Sequence, residues 1–116
     1  MLVNEGLPAF LVEEMAKRHE LASMTVGIIG MAFKAESDDI RSSLSYKLRR
    51  ILRFKAAHVV CADPYVTVDP ALLSQDEVIA QADVLVIGAP HAAYRELRTD
   101  VPVVDIWGVT GRGVRV

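Results

Sequence analysis

A chain of 116 residues, 52% of them hydrophobic, is long enough for one compact domain and apolar enough to bury its core. Its 13 lysines and arginines nearly balance 15 aspartates and glutamates, and a net charge of -2 excludes a general attraction to nucleic acid or to an anionic membrane surface. Cys61 is the single cysteine, which excludes an intramolecular disulfide and a thiol-rich metal site. No apolar stretch approaches the ~20 residues that span a bilayer. We therefore expect a cytoplasmic protein.

The first predicted element is a helix over residues 7–21, with Pro8 in its first turn. Its apolar residues, which include Phe10, Leu11 and Met15, form an irregular stripe rather than one clean face. The rest of the chain offers no obvious packing partner for this stripe. We therefore expect the helix to pack against something outside the chain.

Four short apolar segments rich in β-branched residues follow, and each suits a strand buried in a parallel sheet. They lie at residues 24–30, 58–62, 83–89 and 101–106, and a fifth short strand at 114–116 is left open. Helices are predicted between them, because Leu44, Leu48 and Leu52 have helical spacing, Ser74 opens a capping-box pattern, and residues 91–97 follow the third strand. This alternation predicts an α/β, Rossmann-like, doubly wound parallel sheet of four to five strands.

Ligands of a doubly wound sheet bind in the loops after the strands. The connection after the first strand contains Lys34 and Arg41, two cations that can bind phosphate. It also contains adjacent carboxylates, Asp38 and Asp39, which can orient a cation or cap the next helix. From the residues alone, a solvated loop with a helix cap is the favoured explanation of this segment, since Asp residues just before a helix commonly serve as caps.

The same connection lacks a dinucleotide fingerprint. Gly27 and Gly30 do not form the G-x-G-x-x-G pattern, although Asp63 at the end of the second strand resembles the acid that binds a ribose. Two further side chains have open alternatives. His91 could donate a hydrogen bond to a ligand or cap its helix, and Tyr65 could stack on a base or pack over the sheet edge.

Three segments resemble the C-terminal domain of the UDP-glucose/GDP-mannose dehydrogenase family. The run VGIIGMAFKAESDDIR at 26–41 is similar to the family signature, and ADPYV at 62–66 and ADVLVIGAPHAAYREL at 82–97 are similar to two later segments in the family order. The run LVNEGLPAFLVEEM at 2–15 resembles the end of the family's central helical region.

The resemblance implies that the chain is the C-terminal third of a longer enzyme. Residues 1–22 would be a linker helix from the central dimerisation region, and residues 23–116 would be the UDP-sugar-binding domain. Met1 would then be a truncation start. The expected partners are a UDP-sugar and the N-terminal and central domains of the same enzyme, which would be a homodimer, with no nucleic acid, membrane or metal.

Enzymes of this family oxidise the C6 hydroxyl of a UDP-sugar to a carboxylate with two NAD⁺, through a thiohemiacetal on a cysteine upstream of this domain. Cys61 lies in a predicted buried strand and is not that cysteine, so the chain has no catalytic residue and is expected to be inactive alone. NAD would be bound mainly by the missing N-terminal domain. By position, Phe33 and Lys34 resemble the family's contacts to the UDP-sugar, and Arg41 resembles the arginine that reaches the NAD.

Departures from the family pattern bear on the sugar. The UDP-glucose type has Asp-Gly-Arg after the fourth strand, whereas this chain has Asp105-Ile106-Trp107, so Trp107 either packs against the sugar or belongs to the core. The Pro8-Ala9-Phe10 segment is more similar to UDP-N-acetylmannosamine dehydrogenases of bacterial polysaccharide synthesis. We therefore expect that substrate, with the UDP-glucose type as the alternative.

Two other classes of protein stay open. A signalling receiver domain has a similar length and fold, but it needs a phosphoacceptor Asp at the end of the third strand, where this chain has Gly88-Ala89-Pro90. A non-catalytic nucleotide-binding or assembly module is the other alternative.

Overall fold

The computed structural model describes residues 3–32, 44–66, 69–89, 91, 94 and 99–105, with the backbone alone for 3–8 and 105. These residues form α1 (Val3–Arg18), β1 (Thr25–Ile29), α2 (Leu44–Lys55), β2 (His58–Ala62), α3 (Gln75–Gln81), β3 (Val84–Ile87) and β4 (Val103–Asp105). A 3₁₀ turn over Leu21–Ser23 leads from α1 to β1. None of the helices in this described part is both long and apolar enough to cross a membrane.

The four described strands form one parallel sheet in the order β2-β1-β3-β4. The chain steps from β1 outward to β2, and then returns past β1 to β3 on its other side. This reversal of direction defines a switch point between β1 and β3. The predicted doubly wound parallel α/β fold is confirmed, and the optional fifth strand at 114–116 lies outside the described residues.

Helices cover both faces of the sheet. On one face, Met15 of α1 and Leu48 of α2 pack in a single core cluster with Ile28 of β1. On the other face, Val78 of α3 packs in a second cluster with Leu85 of β3. All five side chains are at most 1% exposed, so the domain is a three-layer sandwich with a core on each side of the sheet.

The N-terminal helix differs from its prediction. It begins at Val3 rather than residue 7, which places Pro8 in the second turn, where the missing N–H removes only one helical hydrogen bond. It also has a packing partner within the chain, since Leu11 and Met15 are buried in the cluster that α2 shares. The expectation of a partnerless helix is therefore wrong. Of the apolar residues in the irregular stripe, Leu11 and Met15 are buried and Phe10 is exposed.

The short helix α3 begins as the sequence predicts. The Ser74 hydroxyl accepts the Glu77 N–H at 3.1 Å, and the Glu77 carboxylate accepts the Ser74 N–H at 2.9 Å. These reciprocal bonds form the capping box. A helix of only seven residues depends on such a cap, because few of its backbone groups have intrahelical partners.

We expect Ser74→Ala to lower the free energy of unfolding by about 1 kcal/mol, because it removes the side-chain acceptor of the cap. Urea denaturation of the chain measures the change. Ser23→Ala is the matched control, since the Ser23 hydroxyl donates to the Glu20 carbonyl at an exposed turn outside the α-helices. Equal losses for both variants would contradict a stabilising role for the capping box.

Candidate functional site

The carboxyl edge of the sheet brings together the ends of three strands. β1 continues into Gly30, β2 into Asp63 and β3 into Gly88. Gly30 has a φ of 93°, a conformation that glycine adopts without steric cost, and its N–H donates to the Ala62 carbonyl at 2.8 Å. The backbone therefore turns sharply where β1 ends, beside the switch point at which ligands of this fold class bind.

Ser45 fills the crevice between β1 and β3. Its side chain is fully buried, and its hydroxyl donates to the Gly30 carbonyl at 2.5 Å. A Cβ placed on Gly88 would lie 1.9 Å from this hydroxyl oxygen and 2.7 Å from the Gly30 carbonyl oxygen. The space above these glycines is thus occupied by protein atoms. Since a dinucleotide pyrophosphate needs bare glycine backbone to approach, the described residues do not fit a dinucleotide at this position.

Asp63 joins the loops at this edge. One carboxylate oxygen, Oδ2, accepts the N–H groups of Met31 and Ala32 at 2.7 and 3.0 Å, and Oδ1 accepts the N–H of Tyr65 at 2.8 Å. The side chain has no exposed area. A buried carboxylate is stable only when its oxygens are paired, and here backbone donors from two loops pair them.

His91 completes this buried group from the end of β3. Its Nε2 lies 2.9 Å from Asp63 Oδ2, and its side chain is also fully buried. The imidazole ring contacts two tyrosines, with ring centroids 4.7 Å from Tyr65 and 5.3 Å from Tyr94. Burial, together with the nearby Asp63 carboxylate, raises the pKa of Tyr94 well above its ordinary value. His91 is therefore held inside the protein, on the interior side of the partly exposed Tyr65.

A second polar cluster fixes the loop that follows β2. The Asp69 carboxylate accepts the Tyr46 hydroxyl at 2.8 Å and pairs with Arg49 at 3.0 Å, and the Arg49 guanidinium lies over the Tyr46 ring. Cys61 lies beside this cluster, and its burial raises the pKa of the thiol to about 11. Because Cys61 is also buried in the core cluster, the structure supports the prediction that it is a packing residue.

The structure describes one of the predicted site residues, His91. Phe33, Lys34, Asp38, Asp39, Arg41 and Trp107 lie outside the described residues, and their roles stay predictions. A direct contact from His91 to a ligand also stays a prediction, and the imidazole observed here bonds to Asp63. Among the described residues no three His, Cys, Asp or Glu side chains cluster as a metal site would require.

Sequence reasoning missed the function of two residues at this edge. The sequence suggests a ribose-binding role for Asp63, beside its place in the ADPYV segment, and it suggests no role for Ser45. The sequence contains a signal for only one of the Asp63 bonds, because an Asp at such a turn commonly accepts the N–H two residues on, which here is that of Tyr65.

Comparison with known proteins assigns this architecture to a family. The model of the UDP-glucose/GDP-mannose dehydrogenase family, UDP binding domain, matches residues 27–112. The UDP-N-acetyl-D-mannosamine dehydrogenase of Pyrococcus horikoshii is 28% identical over 97% of this chain and 26% of its own length. The enzyme of the same name from Methanocaldococcus jannaschii is 34% identical over 80% of this chain and 22% of its own length.

A solved structure agrees with these relatives. The UDP-glucose dehydrogenase of Pyrobaculum islandicum superimposes with a TM-score of 0.76 at 26% identity, over 89% of this chain and 26% of that chain. The chain thus spans about a quarter of the length of the relatives that it matches. The family match begins within β1 and extends through β2, β3 and β4, so this family replaces the receiver-domain alternative. The chain belongs to the UDP-glucose/GDP-mannose dehydrogenase family and contains its UDP binding domain.

Proposed function

We propose that this chain binds the UDP-sugar for an NAD-dependent nucleotide-sugar 6-dehydrogenase that oxidises UDP-N-acetylmannosamine for polysaccharide biosynthesis in the cytoplasm. One observation carries the proposal. The segment that contains the family signature, residues 26–41, leaves β1 at the carboxyl edge of the sheet, where a doubly wound fold binds ligands. Within that segment we assign Phe33 and Lys34 to the UDP-sugar.

The chemistry of the assigned side chains fits a nucleotide diphosphate. The Lys34 ammonium is a compact cation that can donate to phosphate or sugar oxygens, and Phe33 supplies an apolar surface next to it. We assign Asp38 and Asp39 to orienting Arg41 rather than to acid–base chemistry, because no nucleophile in this chain needs a base. The chain's part of the reaction is therefore binding and orientation.

The cofactor belongs to another domain in this proposal. NAD would supply the hydride acceptor, but the crevice that a dinucleotide would need here is filled by Ser45. We therefore place NAD mainly on an N-terminal domain of the intact enzyme, with Arg41 reaching it across the domain boundary. The same intact enzyme would be a homodimer, with residues 1–22 continuing into its central helical region.

We expect Lys34→Ala to weaken UDP binding to the 116-residue chain by about tenfold, because it removes a charge-assisted hydrogen bond. Arg41→Ala is the matched control, since it removes a cation from the same segment that we assign to the cofactor, and it should leave UDP binding unchanged. Isothermal titration of both variants with UDP measures the difference. Turnover of a UDP-sugar with NAD⁺ by this chain alone would contradict the proposal.

The identity of the sugar rests on two observations. The Pyrococcus and Methanocaldococcus relatives are UDP-N-acetyl-D-mannosamine dehydrogenases, and Trp107 stands where the UDP-glucose type has an arginine. The Pyrobaculum structure supports the alternative, a UDP-glucose dehydrogenase. Competition between the two UDP-sugars for the chain decides the matter, and tighter binding of UDP-glucose would select the alternative.

A further inference from the structure

Asp63 uses more of its hydrogen-bonding capacity than its own turn requires. The bond from the Tyr65 N–H to Oδ1 would be enough to close the turn after β2. The other oxygen, Oδ2, instead accepts the N–H groups of Met31 and Ala32, the two residues with which the chain leaves the end of β1. The carboxylate of one strand end therefore fixes the direction in which the chain leaves a neighbouring strand.

His91 holds this carboxylate in place from a third strand end. A carboxylate only accepts hydrogen bonds, so His91 Nε2 bears a hydrogen and donates to Oδ2 at 2.9 Å. The His91 N–H donates to the Ala89 carbonyl at 2.9 Å, which ties the residue to the end of β3. Both side chains are fully buried, so the pair has little freedom to shift.

The next residues after this anchor are Phe33 and Lys34. A second buried bond, from the Ser45 hydroxyl to the Gly30 carbonyl, ties the start of α2 to the same strand end. Buried side chains thus hold the described residues on both sides of 33–43, with Met31 and Ala32 bonded to Asp63 and the start of α2 bonded to Gly30 through Ser45. Asp63 fixes the backbone at Ala32, which is two residues before Lys34.

We propose that Asp63 is a positioning residue for UDP-sugar binding, which acts through the Met31–Ala32 backbone on Lys34, and that His91 orients the Asp63 carboxylate. The inference rests on the proposed function, because it takes Lys34 to be a UDP contact. Neither Asp63 nor His91 needs to touch the ligand for this role.

The test is a double-mutant cycle on UDP affinity, measured by isothermal titration of the 116-residue chain. Asp63→Asn replaces one acceptor oxygen by an NH₂ group, so at least one of the backbone N–H groups around it faces another donor. We expect Asp63→Asn to weaken UDP binding by about tenfold, and Lys34→Ala to cost much less in the Asp63→Asn background than in the wild type.

The outcomes separate this inference from the proposed function. If the wild-type chain does not bind UDP, or if Lys34→Ala has no effect, the proposed function fails. If Lys34→Ala weakens binding by the same factor with Asp63 and with Asn at that position, the proposed function stands and the positioning role is overturned. A purely structural Asp63 would give that second result.

A second pair of variants decides the question if Asp63→Asn does not fold. His91→Leu removes the donor to Asp63, whereas His91→Gln keeps an N–H that can reach it. We expect His91→Leu to weaken UDP binding and to reduce the effect of Lys34→Ala, and His91→Gln to restore most of both. Equal affinity for the two variants would overturn the role of the pair.

Discussion

Gly88→Ala is expected to lower the free energy of unfolding by about 3 kcal/mol, at the upper end of the range for overpacking. A Cβ at this position would lie 1.9 Å from the Ser45 hydroxyl oxygen and 2.7 Å from the Gly30 carbonyl oxygen. The hydroxyl could rotate away, but the Gly30 oxygen is backbone at the end of β1. The ends of β1 and β3 would therefore have to separate, and the buried bond between Ser45 and Gly30 would be lost.

Denaturant unfolding of four variants tests this expectation. Ser45→Ala alone should cost about 1 kcal/mol, the value of one buried hydrogen bond. In the Ser45→Ala background Gly88→Ala should cost less than in the wild type, because the nearest clashing atom is gone. Additive losses, or a stable Gly88→Ala single variant, would show that this crevice is not closely packed.

The sheet could be predicted from the sequence because its strands are short apolar runs with clear stops. The second strand was predicted at 58–62 and is found at His58–Ala62, since Pro64 cannot extend the ladder. The first strand was predicted at 24–30 and is shorter, Thr25–Ile29, because the positive φ of Gly30 turns the backbone out of the sheet. Local chemistry decides these boundaries.

The packing of α1 could not be predicted in the same way. Its apolar residues do not fall on one regular stripe, and its partner α2 lies beyond β1 in the sequence. Only the fold shows that Leu11 and Met15 lie on the face that meets α2, while Phe10 is 54% exposed. The resemblance of residues 2–15 to the family's central helical region implies a partner outside the chain, whereas the structure shows that α2 is a partner within it.

The residues of the candidate site also differ in how far the sequence predicts them. The segment from Phe33 to Arg41 was visible as a contiguous signature, and the family match over residues 27–112 supports that identification. The hydrogen bonds around Asp63 could not be predicted from the sequence, because three of its four partners, Met31, Ala32 and His91, are 28 to 32 residues distant. Only the bond to Tyr65, two residues away, follows from local spacing. The long-range bonds to Asp63 exist because the parallel sheet brings the carboxyl ends of β1, β2 and β3 together.

The filled crevice explains why a Rossmann-like fold here need not bind a dinucleotide. The fold supplies the switch point, but binding also needs open backbone above the glycines. In this chain Ser45 occupies that space and uses the Gly30 carbonyl as its acceptor. The same atoms that close the crevice also anchor the start of α2. The Ser45–Gly30 bond therefore occupies the place where a glycine-rich dinucleotide loop would need open backbone.

Met15→Ala is expected to lower the free energy of unfolding by about 3 kcal/mol, because it leaves a cavity between α1 and the rest of the core. Met15 is 1% exposed and belongs to the cluster that contains Leu48 and Ile28. If α1 were only a linker to another domain, its side chains would contribute little to the stability of this one. The variant therefore measures how far the helix is part of the domain that follows it.

Phe10→Ala is the matched control, since it also truncates a large apolar side chain of α1, but one that is 54% exposed. We expect it to cost less than about 1 kcal/mol, because little packing is lost at an exposed site. Thermal unfolding followed by circular dichroism compares the two variants with the wild type. A small effect of Met15→Ala, similar to that of Phe10→Ala, would mean that α1 frays from the domain and that the linker interpretation is the better one. A large effect would mean that α1 is part of the folded unit formed with the core of residues 23–116.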